Sequence, residues 1–573
     1  MSARSQARDE ELAGRTGHSG DAGAARVIGV LGAGTMGSGI AQLAARSGAR
    51  TLLHDPVPEA LQRGVERARD GLSKEAAKGR LSEQQAAAGA ERLEPIAELA
   101  ALAPCELVIE AAPERLELKH ELFRRLSEIV DERCVLATNT SSLLVTAIAP
   151  AASRPERVVG MHFFNPAPLM RLLEVVAGEQ SSPRALLLAD ATGAAMGKAV
   201  IHASDGPGFL VNRCNRPFGL EALRLLQERI ADVATIDRIC RIEGGFRMGP
   251  FELMDLVGVD VGYEISKSFF EQSFGEPRWR PSPIAARYVA AGLHGRKSAR
   301  GYYSYPEDAP GPGPAHRDAD PQPLAESAPG SGEGVVVIAG SGVLAEELRH
   351  AASEAGYEVR SPHDPTGGVL PALIVECDRE PASEAGGDAQ ARRGQAHGQT
   401  QGGAHLVLCQ AGSLSELDPA GSAVGFHVLA PLEQASLVEL TRNESSSPLA
   451  AARAERFLQS LGKHVAWVGD APGLVLGRIV CQVINECAFA LGEGVGDAHD
   501  IDTGMVLGLS YPRGPLAWAD TIGLDHVLSV LEALRAEYHE ERYRPARALR
   551  RLVQAGRLGR STGAGFFEYD VET

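Results

Sequence analysis

Residues 27–55 read VIGVLGAGTMGSGIAQLAARSGARTLLHD. Val27 to Leu31 is a short apolar run of strand length, the stretch after it spaces its apolar residues as a helix does, and Thr51 to Asp55 is a second strand. Strand, tight turn, helix and strand make a βαβ unit. Gly32, Gly34 and Gly37 form G-x-G-x-x-G at the junction, with Thr35 and Met36 in the same loop. The first glycine permits the turn, the second lets the backbone approach a pyrophosphate, and the third lets the helix pack on the strand. Asp55 closes the second strand, where a carboxylate can accept bonds from a ribose hydroxyl and would repel a 2′-phosphate. The residues therefore point to NAD as the dinucleotide. A competing reading of Asp55 is a cap on the following turn.

Outward from this unit, strands at Cys105 to Ile109, Cys134 to Thr138 and Val158 to Phe164 alternate with helical stretches such as Arg115 to Val130. That alternation predicts an α/β Rossmann domain with a doubly wound parallel sheet over residues 26–204. Residues 205–305 are mainly helical in pattern and form a second, all-helical domain. Residues 306–333, dense in Pro, Gly, Ala and acidic side chains, read as a linker. GVVVIAGSG then opens a reduced Rossmann-like domain, 334–469, interrupted by the low-complexity EPASEAGGDAQARRGQAHGQTQGGA in place of a helix. A second all-helical domain, 470–573, completes the chain. Residues 1–25 are polar and read as a disordered tail.

Bulk properties agree with a multidomain globular chain. At 573 residues it exceeds what one core can serve, and 44% apolar with 23% charged residues is an ordinary globular balance. A formal charge of −17 argues against a nucleic-acid surface. Eight cysteines without a C-x-x-C pair fit a reducing cytoplasm better than disulfides or zinc. No apolar run reaches membrane-spanning length.

The chain repeats itself. VVGMHFFNPAPLMRLLEVV from Val158 returns as AVGFHVLAPLEQASLVEL from Ala423, and His162 and Glu174 fall on His427 and Glu439 at one common offset. The same offset relates MGPFELMDLVGVD from Met248 to PRGPLAWADTIGLD from Pro512, pairing Asp255 with Asp520. In the second copy Ala345 takes the third glycine's place and His363-Asp364 lies near the acidic position, which weakens the case for a nucleotide there.

Oxidising an alcohol with NAD requires a base for the hydroxyl proton as hydride leaves carbon. A neutral imidazole held by a carboxylate suits that task, because its proton affinity lies near working pH and the carboxylate stabilises the imidazolium. His162 and Glu174 lie on two strands joined by a short loop, so their side chains can meet. A histidine beside Phe163 and Phe164 could otherwise be a packed core residue.

GAGTMGSGIAQ, NTSSL, HFFNPAPLMRLLEVV, DGPGFLVNR and GRKSARGYY, in this order, resemble the 3-hydroxyacyl-CoA dehydrogenase family. The first 305 residues, apart from the tail, resemble one whole member. The full chain resembles the long bacterial form found in phenylacetate catabolism, with a reduced Rossmann domain and a second helical domain after the first unit. The resemblance implies reversible NAD-linked oxidation of an (S)-3-hydroxyacyl-CoA, in β-oxidation-like or phenylacetate degradation. It implies His162 as base, Glu174 as its electrostatic partner, Ser141 bonding the substrate oxygen and Asn212 completing the site. It places Asn165, Glu114, Lys119 and Lys297 near the nicotinamide. Lys78 matches a lysine facing the CoA phosphate, while Gly71 stands where some members carry a CoA-contacting serine. Bland alternatives exist for several: Ser141, Ser142 and Asn212 could cap helices, Glu114 and Lys119 could be a solvated pair, and Lys78 plain surface charge.

The second copy places Gly412 opposite Ser141, Ala430 opposite Asn165 and Gly477 opposite Asn212, so one active site per chain, in the first half, is expected. Single-copy members dimerise through the helical domain; here the second helical domain could be the internal partner of the first, and whole chains could still form a homodimer. A non-catalytic NAD-binding scaffold is the rival reading, against which the intact Ser141, His162, Glu174 and Asn212 stand. A dehydrogenase of free 3-hydroxy acids would ignore the CoA portion.

Overall fold

The computed structural model describes residues 23–305, 331–364, 369–381, 403–419 and 421–570. Most of the expected tail, linker and low-complexity insert lies outside the described residues. Strands β1 (Val27–Leu31), β2 (Arg50–His54), β3 (Leu93–Ile96), β4 (Leu107–Glu110), β5 (Val135–Thr138), β6 (Val158–Phe163), β7 (Leu172–Ala177) and β8 (Ala199–Ser204) form one sheet in the order β3-β2-β1-β4-β5-β6-β7-β8. Neighbours are parallel except β6 and β7. The antiparallel step brings the residues that end β6 and begin β7 face to face. The G-x-G-x-x-G helix, Thr35–Arg46, buries Gly37 through Ala45 almost without a break, because its small side chains let it lie close on the sheet. Ile28, Val30, Leu53, Ile109 and Val159 from the strands meet Ile40 and Leu43 from this helix in one core. Full burial of each such side chain is worth about 1.5–3 kcal/mol.

Strands β9 (Val335–Ala339), β10 (Glu358–Arg360), β11 (Leu373–Glu376), β12 (His405–Leu408), β13 (Val424–His427), β14 (Leu437–Thr441) and β15 (His464–Val468) form a second sheet, β10-β9-β11-β12-β13-β14-β15. Its order matches the first with the edge strand removed. The reduction is therefore double: besides the insert between β11 and β12, the second sheet has, among the described residues, no counterpart of β3 or of helices Pro58–Ala77 and Glu83–Arg92.

The described residues group into two compact units. One compact unit takes residues up to Arg213 together with Glu493–Ser510, and the other takes Cys214–Gly492 with Tyr511–Thr573. Within the first unit, helix Ala498–Leu509 from the second helical segment packs on β7 and β8. The amide of Ser204 donates to the Val495 carbonyl at 2.8 Å, and Arg213 pairs with Glu493 at 2.7 Å. Within the second unit the same exchange occurs with the roles of the copies reversed: Gly469 donates to the Ile230 carbonyl at 2.7 Å, and Arg478 pairs with Glu228 at 2.6 Å. Each of these residues maps onto its counterpart by the offset that relates His162 to His427. Helical and sheet segments far apart in sequence thus complete each other.

His202 on β8 holds the exchanged helix in the first unit. Its Nε2 lies 2.9 Å from Asp190 and its Nδ1 3.6 Å from Asp500. The hydrogen bond to Asp190, then that to Asp500, raises its pKa to about 10. A raised folded-state value stabilises fully below the unfolded value of about 6.5 and is lost as pH rises through the folded one. The amides of Ala498–Leu509 should therefore exchange with solvent progressively faster, beyond the intrinsic chemical trend, as pH rises from 6.5 to about 10, and a His202→Gln variant should lack that dependence.

Candidate active site

The phosphate loop has the geometry its glycines require. Gly32 has φ +93°, where L side chains are strained, and a Cβ there would lie 2.6 Å from the Ala111 carbonyl oxygen. A Cβ on Gly37 would lie 1.7 Å from the Gly32 oxygen, so helix and turn could not close. Gly34 faces open space. It precedes a helix with no side-chain cap and no acidic residue in its first turn, which leaves amide donors and the positive helix end for an anion. Asp55 accepts from the Ala33 amide at 2.8 Å and from the Val57 amide at 3.0 Å. It thus caps the turn and ties down the glycine loop at once, and a carboxylate has lone pairs left for ribose hydroxyls. This donor set fits NAD. Thr35 is exposed, and Met36 is partly buried against the core.

His162 and Glu174 stand opposite each other across β6 and β7, and His162 Nδ1 lies 2.6 Å from Glu174 Oε2. Glu174 is wholly buried, and its other oxygen accepts from the amides of Leu210 at 3.2 Å and Val211 at 2.9 Å. Those amides open the short helix Val211–Cys214 that carries Asn212. One carboxylate therefore fixes the ring and the asparagine's backbone together. Phe164 and Phe209 pack on the imidazole at 4.6 and 5.7 Å. With Nδ1 committed to Glu174, Nε2 is the ring nitrogen that can exchange a proton with a substrate.

The loop bearing Ser141 is anchored by groups that sequence reading underrated. Asn139 accepts from the Phe163 amide at 2.8 Å, tying the loop to the strand of His162. Glu114 accepts from Thr140 Oγ1 at 2.6 Å and from the amides of Ser141 and Ser142 at 3.0 and 3.1 Å. Burial opposes its ionisation, but Lys119 and these hydrogen bonds outweigh that and hold its carboxyl below the usual range. Lys119 is no solvated helix partner: it is buried, 2.8 Å from both oxygens of Glu110 and 3.4 Å from Glu114. Glu110 also accepts from Thr138 at 2.8 Å. Glu110, Asn139 and Thr140 were not singled out. A carboxylate ending the apolar strand LVIE, at the carboxyl edge of the sheet where the strand order reverses, was the available sign.

The remaining candidates scatter. Asn165 is exposed just after β6, and Ser141 is exposed on its loop. Lys78 is exposed at the end of helix Pro58–Ala77. Gly71 is required by packing, since a Cβ would lie 2.1 Å from Gln42 Oε1, and Gln42 bonds Glu75 at 2.9 Å. Lys297 lies in the other unit, where it pairs with Asp260 at 2.6 Å.

The second copy keeps the strand register but not the side-chain geometry. His427 is opposite Glu439, yet its Nε2 lies 3.1 Å from His526 Nε2 and its Nδ1 has no hydrogen-bond partner. Burial pushes both imidazoles down, His526 to about 4. A Cβ on Gly477 would lie 2.2 Å from the His427 ring, so the ring fills the place that Asn212 has in the first copy. Glu439 still accepts from two helix-opening amides, Val475 and Leu476, each at 2.8 Å. Glu243, brought in from the first helical segment, faces it instead of the histidine. Burial, and then the neighbouring Glu439, raises the pKa of Glu243 well above the usual carboxylate range. The expected equivalence of Gly412 and Ser141 is corrected by the strand register: with Thr138 opposite Gly160 and Val407 opposite Gly425, Gln410 stands where Ser141 does. Its side chain is taken up by the Cys377 carbonyl at 3.1 Å.

Removing one partner of a buried ion pair leaves the other uncompensated. Lys119→Met should therefore lower stability to urea by about 3–5 kcal/mol, and the double change Glu110→Gln/Lys119→Met should recover a large part of the loss.

Residues 27–206 match the NAD-binding domain of 3-hydroxyacyl-CoA dehydrogenase, and residues 208–305 and 473–569 each match its C-terminal domain. The chain is 34% identical over 533 residues, 93% of its length and 98% of the relative's, to 3-hydroxyadipyl-CoA dehydrogenase of Escherichia coli K12. It is 37% identical over 284 residues, 48% of its length and 90% of the relative's, to the mitochondrial hydroxyacyl-coenzyme A dehydrogenase of Homo sapiens. The solved structure of 3-hydroxybutyryl-CoA dehydrogenase from Escherichia coli K12 superposes with a TM-score of 0.73 at 33% identity, covering 93% of this chain and 99% of that one. Glycine loop, buried histidine–glutamate pair and these likenesses agree: the chain belongs to the 3-hydroxyacyl-CoA dehydrogenase family and is an NAD-dependent oxidoreductase of 3-hydroxyacyl-CoA.

Proposed function

We propose that each chain has one competent site, built around His162, that reversibly oxidises the 3-hydroxyl of an (S)-3-hydroxyacyl-CoA. The observation that carries this is the 2.6 Å bond from His162 Nδ1 to Glu174, contrasted with its absence between His427 and Glu439. NAD, held by the glycine loop and Asp55, supplies the hydride acceptor when bound. His162 Nε2 takes the hydroxyl proton, the buried Glu174 stabilises the resulting imidazolium, and the proton leaves to water. Ser141 and Asn212 orient the substrate oxygen. Glu114 and Lys119 keep the Ser141 loop in shape. The second Rossmann-like domain is a degenerate duplicate whose contribution is structural. Eight buried cysteines without a disulfide support a cytoplasmic setting, and among the described residues no helix is long and apolar enough to cross a membrane. The family resemblance supports a place in β-oxidation-like or phenylacetate degradation.

The reciprocal exchange of segments supports the second helical segment as an internal partner for the first, in place of a second subunit. With acetoacetyl-CoA and NADH, His162→Gln should lower kcat by about 10²–10⁴-fold while NADH binding, followed by fluorescence, is retained. His427→Gln should change kcat little, and comparable losses from both would refute the single-site reading. A chain ending at Tyr305 should either lose turnover or regain it only by self-association; a fully active monomeric fragment would rule out the internal-partner role.

A further inference from the structure

In a chain of net charge −17, one pocket of about 530 Å³ is walled by three arginines. It is open to solvent and lined wholly by residues of the second unit. Leu220, Arg224 and Gln227 come from successive turns of one face of helix Arg216–Gln227, as spacings of four and three residues require. Arg280 and Ser282 come from a turn stiffened by Pro281 and Pro283, just before helix Pro283–Ala290. Arg542 is supplied by the second helical segment, from the short helix Glu541–Tyr543 that packs on its counterpart Pro277–Trp279. None of the lining residues is acidic.

One carboxylate serves two of these guanidiniums. Glu540 accepts from both Nη groups of Arg224 at 3.1 Å and from Arg542 Nε at 2.5 Å. Arg542 is only 4% exposed, yet its two Nη groups have no hydrogen-bond partner among the described residues and are not sealed from solvent. Arg478, buried as deeply, spends each of its nitrogens on a glutamate or a tyrosine hydroxyl. Idle donors on a desolvated guanidinium are costly, so those of Arg542 are a demand that a ligand can meet. The Arg280 side chain is exposed and has no partner among the described residues. Three positive charges against one negative leave a surplus of two, about the charge a phosphate monoester carries near neutral pH, and its oxygens suit converging guanidinium forks. Ser282 Oγ accepts from the Ile284 amide at 3.2 Å and keeps its own proton to donate. We propose that this pocket binds a phosphate dianion, free or as a monoester, held between Arg280 of the first helical segment and Arg542 of the second. Its occupant ties the two segments together beyond the Arg224–Glu540 pair.

Calorimetric titration of the full chain in low salt, with NADH saturating the glycine loop, tests this with inorganic phosphate, AMP and malonate as probes. The intact protein should take up one phosphate or AMP per chain and bind the dicarboxylate malonate at least roughly tenfold more weakly, because two planar carboxylates cannot present one tetrahedral set of oxygens. Malonate bound as tightly overturns the phosphate assignment. AMP bound no more tightly than inorganic phosphate assigns the site to the free ion; tighter binding of AMP assigns it to an ester. Arg542→Gln and, separately, Arg280→Gln should each weaken binding roughly 10- to 100-fold, the range of one charge-assisted hydrogen bond. Because Arg280 is exposed and unpaired, its replacement leaves the fold intact and decides the matter even where Arg542→Gln is unstable. Arg287→Gln removes an exposed arginine of helix Pro283–Ala290 that does not line the pocket, and it should bind as the intact protein does. An equal loss there would reduce the effect to general surface charge and refute the site. Absence of uptake by the intact protein, or uptake unchanged in both pocket variants, likewise overturns it.

Discussion

A buried carboxylate at the same place in each sheet is the constraint around which the rest is arranged. Glu174 and Glu439 are both fully buried, and each accepts from two amides at the start of the helix that follows its sheet. Such a group must be satisfied on every side or neutralised. In the first copy the remaining demand is met by His162, and the result is an oriented imidazole. In the second Glu243, its pKa raised by burial and by Glu439, stands beside the carboxylate, and the histidine turns away to His526. The same backbone with a different third partner gives either an oriented imidazole or packing.

The exchange of segments follows from the same need to finish each sheet. The end of β8 takes the Val495 carbonyl, and the equivalent end of the second sheet takes that of Ile230. Arg478, with no exposed surface, is compensated by Glu221, Glu228 and the hydroxyls of Tyr538 and Tyr543. Burying this guanidinium is tolerable because each of its nitrogens finds an acceptor, and those acceptors come from both copies of the helical segment. The second half can then lose its chemistry while its packing surfaces stay under constraint.

Much of this was legible in the chain. The glycine spacing fixed the phosphate loop because only glycine fits at Gly32 and Gly37, and the alternating pattern gave the parallel sheet. The shared offset located His162 and Glu174, whose pairing requires nothing beyond two antiparallel strands in register. Glu110 was missed because its partner, Lys119, looks like a surface residue in a charged helix until the fold buries it. The equivalence of Gly412 and Ser141 failed because a loop of altered length hides its register, which only the strand pairing reveals. Sequence displays order along the chain, and it does not show that the helix Ala498–Leu509 packs on β7 and β8, about 300 residues earlier.

The sequence by itself determined the cofactor loop, the order of strands and helices, the duplication and the residue types of the acid–base pair, since these depend on local backbone sterics and short-range periodicity. Only the tertiary structure decided which histidine is held by a carboxylate, which lysine and arginine are buried, and which helical segment completes which sheet. Those outcomes depend on desolvation and on partners hundreds of residues away, such as Glu228 for Arg478, and neither quantity is written in any short stretch of sequence.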